Sequence, residues 1–144
     1  MVAVEVPLDG GEKLIDSDQN PRSYTSAELM AALEPISCPG GTVTAATASP
    51  ASDGAAAIML MSQKKSKEIG PKPKAKVLSM SVAGVDPKLM GLGMVPAARK
   101  ALERAGLTIA DIDLAELNEA FAVGAIAAIR ELGIDEEKVN SNGG

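Results

Sequence analysis

Hydrophobic residues follow strand-like spacing in four short stretches of the chain. Val2, Val4 and Val6 occupy alternate positions before Pro7, which is typical of a short, half-buried strand that enters a polar loop. The stretch from Ala55 to Met61 is apolar without interruption and short for a helix, which favours a strand buried on both faces. The predicted strands cover residues 2–6, 55–61, 77–82 and 112–114.

Helical spacing alternates with these strands, and capping residues mark the helix ends. Ser62 precedes a short helix that Gly70 and Pro71 terminate, because glycine favours the left-handed cap conformation and proline cannot continue a helix. Thr25 and Glu28 have capping-box spacing at the start of an earlier helix. The predicted helices cover residues 26–33, 62–69, 95–105 and 117–132.

The last of these helices carries no charged residue between Ala120 and Ile129. A helix that is apolar on every face is buried, so we expect this one to be enclosed in a larger assembly. Strands and helices in alternation predict right-handed βαβ units. The fold class is therefore predicted as α/β, with a mostly parallel sheet and covering helices.

Small side chains dominate the apolar composition. Hydrophobic residues make up 46% of the chain, but alanine is the most frequent of them, and Tyr24 and Phe121 are the only aromatic residues. Apolar burial contributes roughly 25 cal/mol per Å², whereas ordering each residue costs about 1–2 kcal/mol. We therefore expect marginal stability without a partner surface.

Charge and composition exclude several functional classes. The net charge of −5 disfavours a general nucleic-acid or anionic-membrane role. The chain has no histidine and one cysteine, which excludes an internal disulfide and a multi-thiolate metal site. No apolar run approaches the roughly 20 residues of a membrane span. A reducing, cytoplasmic location fits, although a targeting sequence upstream of Met1 would be invisible.

Several short motifs occur in an order that resembles the thiolase family, the acyltransferases that cleave or form β-ketoacyl-CoA. The Asn118–Phe121 motif, Asn-Glu-Ala-Phe at a predicted strand-to-helix junction, is the most specific of them. The motifs are Gly41-Thr-Val-Thr-Ala45, Ala48-Ser49, Asp53-Gly-Ala-Ala-Ala57, Val82-Ala-Gly-Val-Asp-Pro87, Asn118-Glu-Ala-Phe121 and Val139-Asn-Ser-Asn-Gly-Gly144.

The resemblance covers the whole chain but well under half of a thiolase polypeptide. It implies a partial thiolase-like layered fold in three parts. Residues 1–40 are a remnant of the loop domain, residues 41–70 the last strand and helix of the N-terminal half, and residues 71–144 the opening βαβα of the C-terminal half. Thiolases are implied to use a nucleophilic cysteine, a histidine in a Gly-His-Pro segment and a second, acid–base cysteine. None of these motifs is present, so we expect an incomplete chain that is inactive alone.

Asn118 is the catalytic residue that the resemblance does carry over. In the family this asparagine holds a water that helps to polarise the thioester oxygen, and a neutral amide can position a water by donating or accepting. From the residues alone, N-capping of the following helix is the favoured role of Asn118, because asparagine is among the best caps, whereas the resemblance favours the catalytic role; the two need not exclude each other. Both interpretations stay open at this point.

Five further residues match family positions that contact coenzyme A or the acyl group. Arg22 matches an arginine that lies against the adenine, and Leu33 an apolar contact to the same group. Ala45 and Ser49 match positions along the pantetheine arm, and Phe121 would border the acyl pocket. The alternatives are a solvated loop charge for Arg22, core packing for Leu33 and Phe121, and tight small-residue packing for Ala45 and Ser49.

Ala46 and Pro50 stand where thiolases commonly have glycine. Both exclude positive φ angles, which narrows the backbone freedom beside the implied pantetheine channel.

Three other features favour a structural interpretation. Cys38 precedes a proline and has no histidine partner, the lysines between Lys64 and Lys76 fit a solvated surface, and Asp111 with Asp113 lacks a third metal ligand.

The resemblance also implies the partners of the chain. Coenzyme A thioesters are expected as substrates, with no permanently bound cofactor or metal. The remaining thiolase segments and a homo-oligomer are expected as protein partners, without nucleic acid or membrane. The alternative is a free-standing, thiolase-like binding module that performs no chemistry.

Overall fold

The computed structural model describes residues 1–144 and divides them into two units, Met1–Ala46 and Thr47–Gly144. The first unit contains strands β1 (Val4–Leu8) and β2 (Gly11–Ile15) and helix α1 (Ala27–Ala31). The second contains helices α2, α3 and α4 and three short 3₁₀ segments. The helices are Gln63–Ile69, Met94–Ala105 and Ala122–Leu132, and the 3₁₀ segments are Pro87–Leu92, Ile109–Asp111 and Glu136–Lys138.

The first unit begins with an antiparallel hairpin, in which β1 pairs with β2 from Val4 opposite Ile15 to Leu8 opposite Gly11. The sequence predicted only the first strand, two residues earlier, followed by a polar loop. The difference arises at the turn, where Gly10 adopts φ +104° and lets the chain fold back at once. A two-stranded ribbon has a free edge on both sides, so Pro7, which has no N–H, fits in β1.

Helix α1 is short and exposed. Its N-cap is Ser26, whose hydroxyl accepts a hydrogen bond from the Leu29 N–H at 3.2 Å, so the predicted Thr25 cap is one residue too early. After α1, Pro35 forms a bridge with Thr44, and the Ile36 N–H donates to the Val43 carbonyl at 2.9 Å. No residue of α1 is buried.

Glycine C-caps end the helices of the second unit. The predicted helices over residues 62–69 and 95–105 are confirmed to within one residue at each end. Gly70, Gly106 and Gly133 follow the three helices with φ of +89°, +69° and +68°, respectively, a conformation that costs glycine little. Ser62 caps α2 by accepting from the Lys65 N–H at 3.1 Å.

A small core joins α3, α4 and the Pro87–Leu92 segment. Its buried apolar residues are Val95, Ala125, Ala128 and Ile134. Gly91 and Gly124 let two backbones meet there, since a Cβ built on Gly91 would lie 3.3 Å from the Gly124 Cα. Arg99 donates to the Glu131 carbonyl at 2.5 Å and so links α3 to the end of α4.

Three of the predicted strands do not form as strands. Residues 55–61 have no regular secondary structure, and Ile58 is 84% exposed. Residues 77–82 run beside α3, where the Ser81 hydroxyl donates to the Ala97 carbonyl at 2.7 Å and Ser79 Oγ is buried without a partner. A strand needs a neighbouring strand to satisfy its backbone groups, and neither stretch has one in this chain.

The third of these stretches, residues 112–114, follows a 3₁₀ turn instead of forming a strand. Thr108 and Asp111 form a capping box there, with the Asp111 carboxylate accepting from the Thr108 N–H at 2.8 Å and from its hydroxyl at 2.7 Å. These bonds hold the pKa of Asp111 below its usual value, the backbone N–H contributing most.

The accessible surface is large for the chain length. A folded monomer of 14.6 kDa is expected to expose about 6,900 Å², whereas this chain exposes 11,908 Å². The helix predicted to be enclosed, α4, leaves Val123 60% and Ile126 47% exposed. Packing within the chain therefore covers only one face of α4.

Expressed alone, the 144-residue chain should unfold without a cooperative transition. Because so little apolar surface is covered, we expect a helical far-UV circular dichroism spectrum, a broad thermal melt and strong binding of the dye ANS. A sharp melt that coincides by circular dichroism and fluorescence, with no dye binding, would contradict this expectation.

Substitutions at Gly124 should test how closely α4 packs against the Pro87–Leu92 segment. An alanine Cβ at this position would lie 3.5 Å from the Gly91 Cα, an ordinary contact, while alanine gains about 1 kcal/mol of helix propensity over glycine. Gly124→Ala should therefore increase amide protection in α4, and Gly124→Ile should decrease it, as measured by hydrogen exchange. Equal protection in the two variants would show that α4 does not touch the Pro87–Leu92 segment.

Candidate functional site

Asn118 lies in a non-helical segment that leads into α4. The predicted helix over residues 117–132 begins only at Ala122, and its N-cap is Phe121, in an extended conformation with no side-chain cap bond. The interpretation of Asn118 as the helix cap is therefore wrong. Asn118 is exposed, so its amide is available to a ligand or a water.

Asn140 bonds to the residues on both sides of Asn118, through the backbone of Leu117 and the side chain of Glu119. Its Oδ1 accepts from the Leu117 N–H at 2.7 Å, and its Nδ2 donates to the Leu117 carbonyl at 3.0 Å and to the Glu119 carboxylate at 2.6 Å. Asn140 also has φ +47°, and no other non-glycine residue has a positive φ. An asparagine tolerates this left-handed conformation better than most residues.

Asn140 was not among the predicted site residues, although its surroundings in the chain carry a signal. Asn140 lies in the Val139–Gly144 motif, a run of turn-forming residues before a double glycine. Such a run predicts left-handed backbone, but it does not predict which segment the side chain contacts.

Backbone bridges fix the two ends of the Asn118 segment. At one end, the Ala115 N–H donates to the Lys138 carbonyl and the Asn140 N–H donates to the Ala115 carbonyl, each at 2.9 Å. At the other end, the Ser49 N–H donates to the Ala120 carbonyl and the Ala122 N–H to the Thr47 carbonyl, each at 2.9 Å.

The bridge between residues 47–49 and 120–122 brings two predicted site residues, Ser49 and Phe121, together. Ala48 pairs with Phe121 in an antiparallel bridge, which places Ser49 beside the Asn-Glu-Ala-Phe motif. Ser49 is exposed and Phe121 is half-buried. Ser49 therefore does not fit the tight-packing alternative, and Phe121 is not a fully buried core residue.

The other three predicted contacts lie in the first unit. Arg22 is exposed and forms no salt bridge, in agreement with a solvated loop charge and with a free guanidinium. Leu33 is 40% exposed beside a helix with no buried residue, so the core-leucine alternative is wrong. Ala45 is exposed next to the Pro35–Thr44 bridge, which also argues against tight packing.

Ala46 and Pro50 cause no backbone strain. Neither has a positive φ, so the chain follows a path here that does not require the glycines common in thiolases. The departures from the family pattern therefore change the side chains beside Ser49 more than the backbone.

Acid–base and metal chemistry have few candidates in this chain. No group of three or more histidine, cysteine, aspartate and glutamate side chains is placed to hold a metal ion. Cys38 is a free, exposed thiol whose nearest polar partner is the Ser37 hydroxyl at 3.9 Å. The Glu28 carboxyl has a pKa below its usual value, chiefly because of its own backbone N–H and then the Ser26 hydroxyl, but it belongs to the cap of α1.

The described geometry thus offers one exposed amide on a fixed backbone, next to a serine and an aromatic ring. Such a site can position a water or a polar ligand atom. It contains no histidine or cysteine. No helix of the chain has the length and apolar character needed to cross a bilayer.

Two family profiles match the chain in consecutive order. The profile described as thiolase, N-terminal domain, matches residues 1–64, and that described as thiolase, C-terminal domain, matches residues 71–144. An acetyl-CoA acetyltransferase from Syntrophomonas wolfei is 53% identical over 146 residues, a match that covers 100% of this chain and 37% of the relative. The chain thus spans little more than a third of the length of such a relative.

Solved structures agree with the predicted fold class. The acetyl-CoA acetyltransferase of Bacillus anthracis superposes with a TM-score of 0.93 at 45% identity, over 99% of this chain and 36% of that protein. Human mitochondrial 3-ketoacyl-CoA thiolase in complex with CoA superposes with a TM-score of 0.87 at 41% identity, over 92% of this chain and 34% of that protein.

These likenesses confirm the partial, thiolase-like α/β fold, although the chain itself forms only one two-stranded antiparallel sheet. The family matches together reach both ends of the chain, and Asn118 of the Asn-Glu-Ala-Phe motif is exposed just before α4. On these grounds the chain belongs to the thiolase family.

Proposed function

We propose that this chain contributes one wall of the catalytic site of a thiolase-type acyltransferase, which moves acyl groups between coenzyme A thioesters. The observation that carries the proposal is the exposed Asn118 amide, which caps no helix and lies on a backbone fixed by Asn140. A relative of known structure is a complex with CoA, which supports coenzyme A as the substrate class.

Asn118 is proposed to hold the water that polarises the thioester oxygen, as the family resemblance implies. Negative charge develops on that oxygen when a nucleophile attacks the thioester carbon. A donor that is already in place lowers the barrier because nothing has to reorganise during the reaction. The bonds that keep Leu117 and Glu119 in place supply this preorganisation on either side of Asn118.

The groups that make and break bonds are proposed to come from other thiolase segments. The resemblance implies a cysteine thiolate that takes the acyl group, a histidine, and a second cysteine that transfers protons. The chain has no histidine, and Cys38 lies outside the family's nucleophile motif. Activity therefore requires those segments, and the chain alone is proposed to be inactive.

The coenzyme contacts are proposed within each unit separately. In the first unit, Arg22 and Leu33 would contact the adenine and Ala45 the pantetheine arm. In the second, Ser49 would line the pantetheine arm and Phe121 the acyl pocket. Four of these residues are exposed and Phe121 is half-buried, which supports these roles because a fully buried side chain could not reach a ligand.

Domain division and protein partners are also proposals. We propose three parts: a loop-domain remnant over residues 1–40, the end of the N-terminal half over 41–70 and the start of the C-terminal half over 71–144. The last boundary is supported by the two family profiles, of which one ends at residue 64 and the other begins at residue 71. The exposed apolar residues of α4 and of residues 58–60 and 77–82 support burial against the remaining segments or a second subunit.

A non-catalytic binding module is the second candidate. It is favoured by the absence of histidine and by the isolated, exposed position of the one cysteine. The two candidates differ in whether the chain binds coenzyme A by itself.

Asn118→Ala should lower turnover in a chimaeric enzyme. In this chimaera, residues 1–144 replace the matching segment of the Syntrophomonas wolfei acetyl-CoA acetyltransferase, which supplies the missing thiolase segments. We expect kcat for acetoacetyl-CoA thiolysis to fall on the order of 10²-fold, with KM changed less than about threefold, because the interaction forms in the transition state. Steady-state kinetics measures both constants.

The matched control is Gln63→Ala, which removes an exposed amide at the start of α2. It should leave kcat unchanged. An Asn118→Ala chimaera that turns over at the parent rate would remove the basis of the proposed catalytic role.

Coenzyme A should bind the separate 144-residue chain only weakly. The chain supplies part of a binding surface, so calorimetric titration should give a Kd weaker than about 1 mM, which corresponds to less than about 4.1 kcal/mol of binding free energy. A Kd in the micromolar range that Ser49→Trp abolishes would instead favour the binding module.

A further inference from the structure

Asn140 connects the Val139–Gly144 motif to the Asn118 segment through three side-chain hydrogen bonds. Two of them satisfy the backbone N–H and carbonyl of Leu117. The Asn140 side chain accepts from the N–H at Oδ1 and donates to the carbonyl from Nδ2. The third reaches the carboxylate of Glu119. The residue between these two anchors, Asn118, forms no side-chain hydrogen bond of its own within the chain.

We propose that Asn140 is the positioning residue of the Asn118 site, an inference that rests on the proposed function. The side chain of Asn140 fixes the backbone of Leu117 before Asn118 and the carboxylate of Glu119 after it, and thereby sets the direction in which the Asn118 amide points. Asn140 itself would contact neither substrate nor the reacting atoms.

The chemistry of the contact requires an asparagine. Leu117 offers one donor and one acceptor, so its partner must accept and donate at neighbouring atoms, as a carboxamide does and a carboxylate does not. The side chain must also be short and must tolerate φ +47°, which disfavours glutamine in the same place. A hydrogen bond from the amide to the Glu119 carboxylate is charge-assisted and therefore stronger than a neutral one.

Glu119 adds a second link to the same motif. A Cβ built on Gly144 would overlap the Glu119 carboxylate, so a larger residue at position 144 would require this side chain to move. Asn140 and Gly144 thus meet Glu119 from the same motif. The position of this motif and the direction of Asn118 are coupled through one carboxylate.

The decisive experiment uses the chimaeric enzyme described above and the variant Asn140→Gly. Glycine keeps the positive φ at little cost, so the substitution removes the side-chain contacts while retaining the backbone conformation. We expect kcat to fall about 10-fold or more, with KM changed less than about threefold, since a small misplacement of a catalytic group costs turnover. Asn140→Asp keeps the acceptor for Leu117, loses the donors and repels Glu119, so its kcat should fall as well.

A double variant separates positioning from general stability. If Asn140 acts through Asn118, the Asn118→Ala/Asn140→Gly enzyme should have a kcat within about threefold of Asn118→Ala alone, because the positioned group is already gone. A residue with only a structural role would lower kcat by the product of the two single effects. Ser62→Ala, which removes the α2 cap and so lowers stability without touching the site, should leave kcat unchanged.

Failure of the inference and failure of the proposed function give different results. If Asn118→Ala lowers kcat but folded Asn140→Gly and Asn140→Asp enzymes turn over at the parent rate, the positioning role is overturned and the proposed function stands. Multiplicative loss in the double variant overturns it equally. If Asn118→Ala itself has no effect, the proposed function fails, and the inference fails with it.

Discussion

Backbone hydrogen bonds that engage both ends of residues 115–122 determine the architecture of the candidate site. Ala115 pairs with Lys138 and Asn140, and Ala120 and Ala122 pair with Ser49 and Thr47. A peptide group already bonded to a neighbouring segment is not available for the i to i−4 bonds of a helix. The helix therefore starts at Ala122, and the stretch before it stays extended enough to expose Asn118.

Polar contacts hold the candidate site in place, whereas apolar burial contributes little to it. Hydrogen bonds at 2.6–3.0 Å from one asparagine hold the Leu117 backbone and the Glu119 carboxylate beside Asn118, whereas the hydrophobic core has only four buried apolar residues. Polar bonds of this kind are directional, so they fix geometry while contributing little net stability. Stability has to come from apolar surface that the chain leaves exposed, and thiolase relatives are almost three times as long.

Local sequence signals predicted the helices well because their causes are local. A serine cap and a following glycine determine where α2 begins and ends, whatever surrounds it. The strands depended on partners that periodicity does not contain, so residues 55–61 and 77–82 have strand-like composition without strand pairing. Residues 112–114 differ for a local reason, since the Thr108–Asp111 capping box forms a turn just before them.

The candidate site was predictable only in part, for the same reason. The Asn-Glu-Ala-Phe motif indicated Asn118, but the spacing also predicted that the helix would already include it, and only the long-range bridge to residues 47–49 excludes this. The role of Asn140 depends on a contact across 23 residues, which no short motif encodes.

Residues 77–82 face α3 with Ser79 and Ser81, and two hydrogen bonds hold them there. The Ser81 hydroxyl donates to the Ala97 carbonyl, and Arg104 donates to the Met80 carbonyl at 2.8 Å, while the buried Ser79 hydroxyl has no partner. The outward side of this segment presents Leu78, Met80 and Val82. The register of a strand that pairs with this segment would therefore depend on the outward apolar row, because the inner side is already occupied by α3.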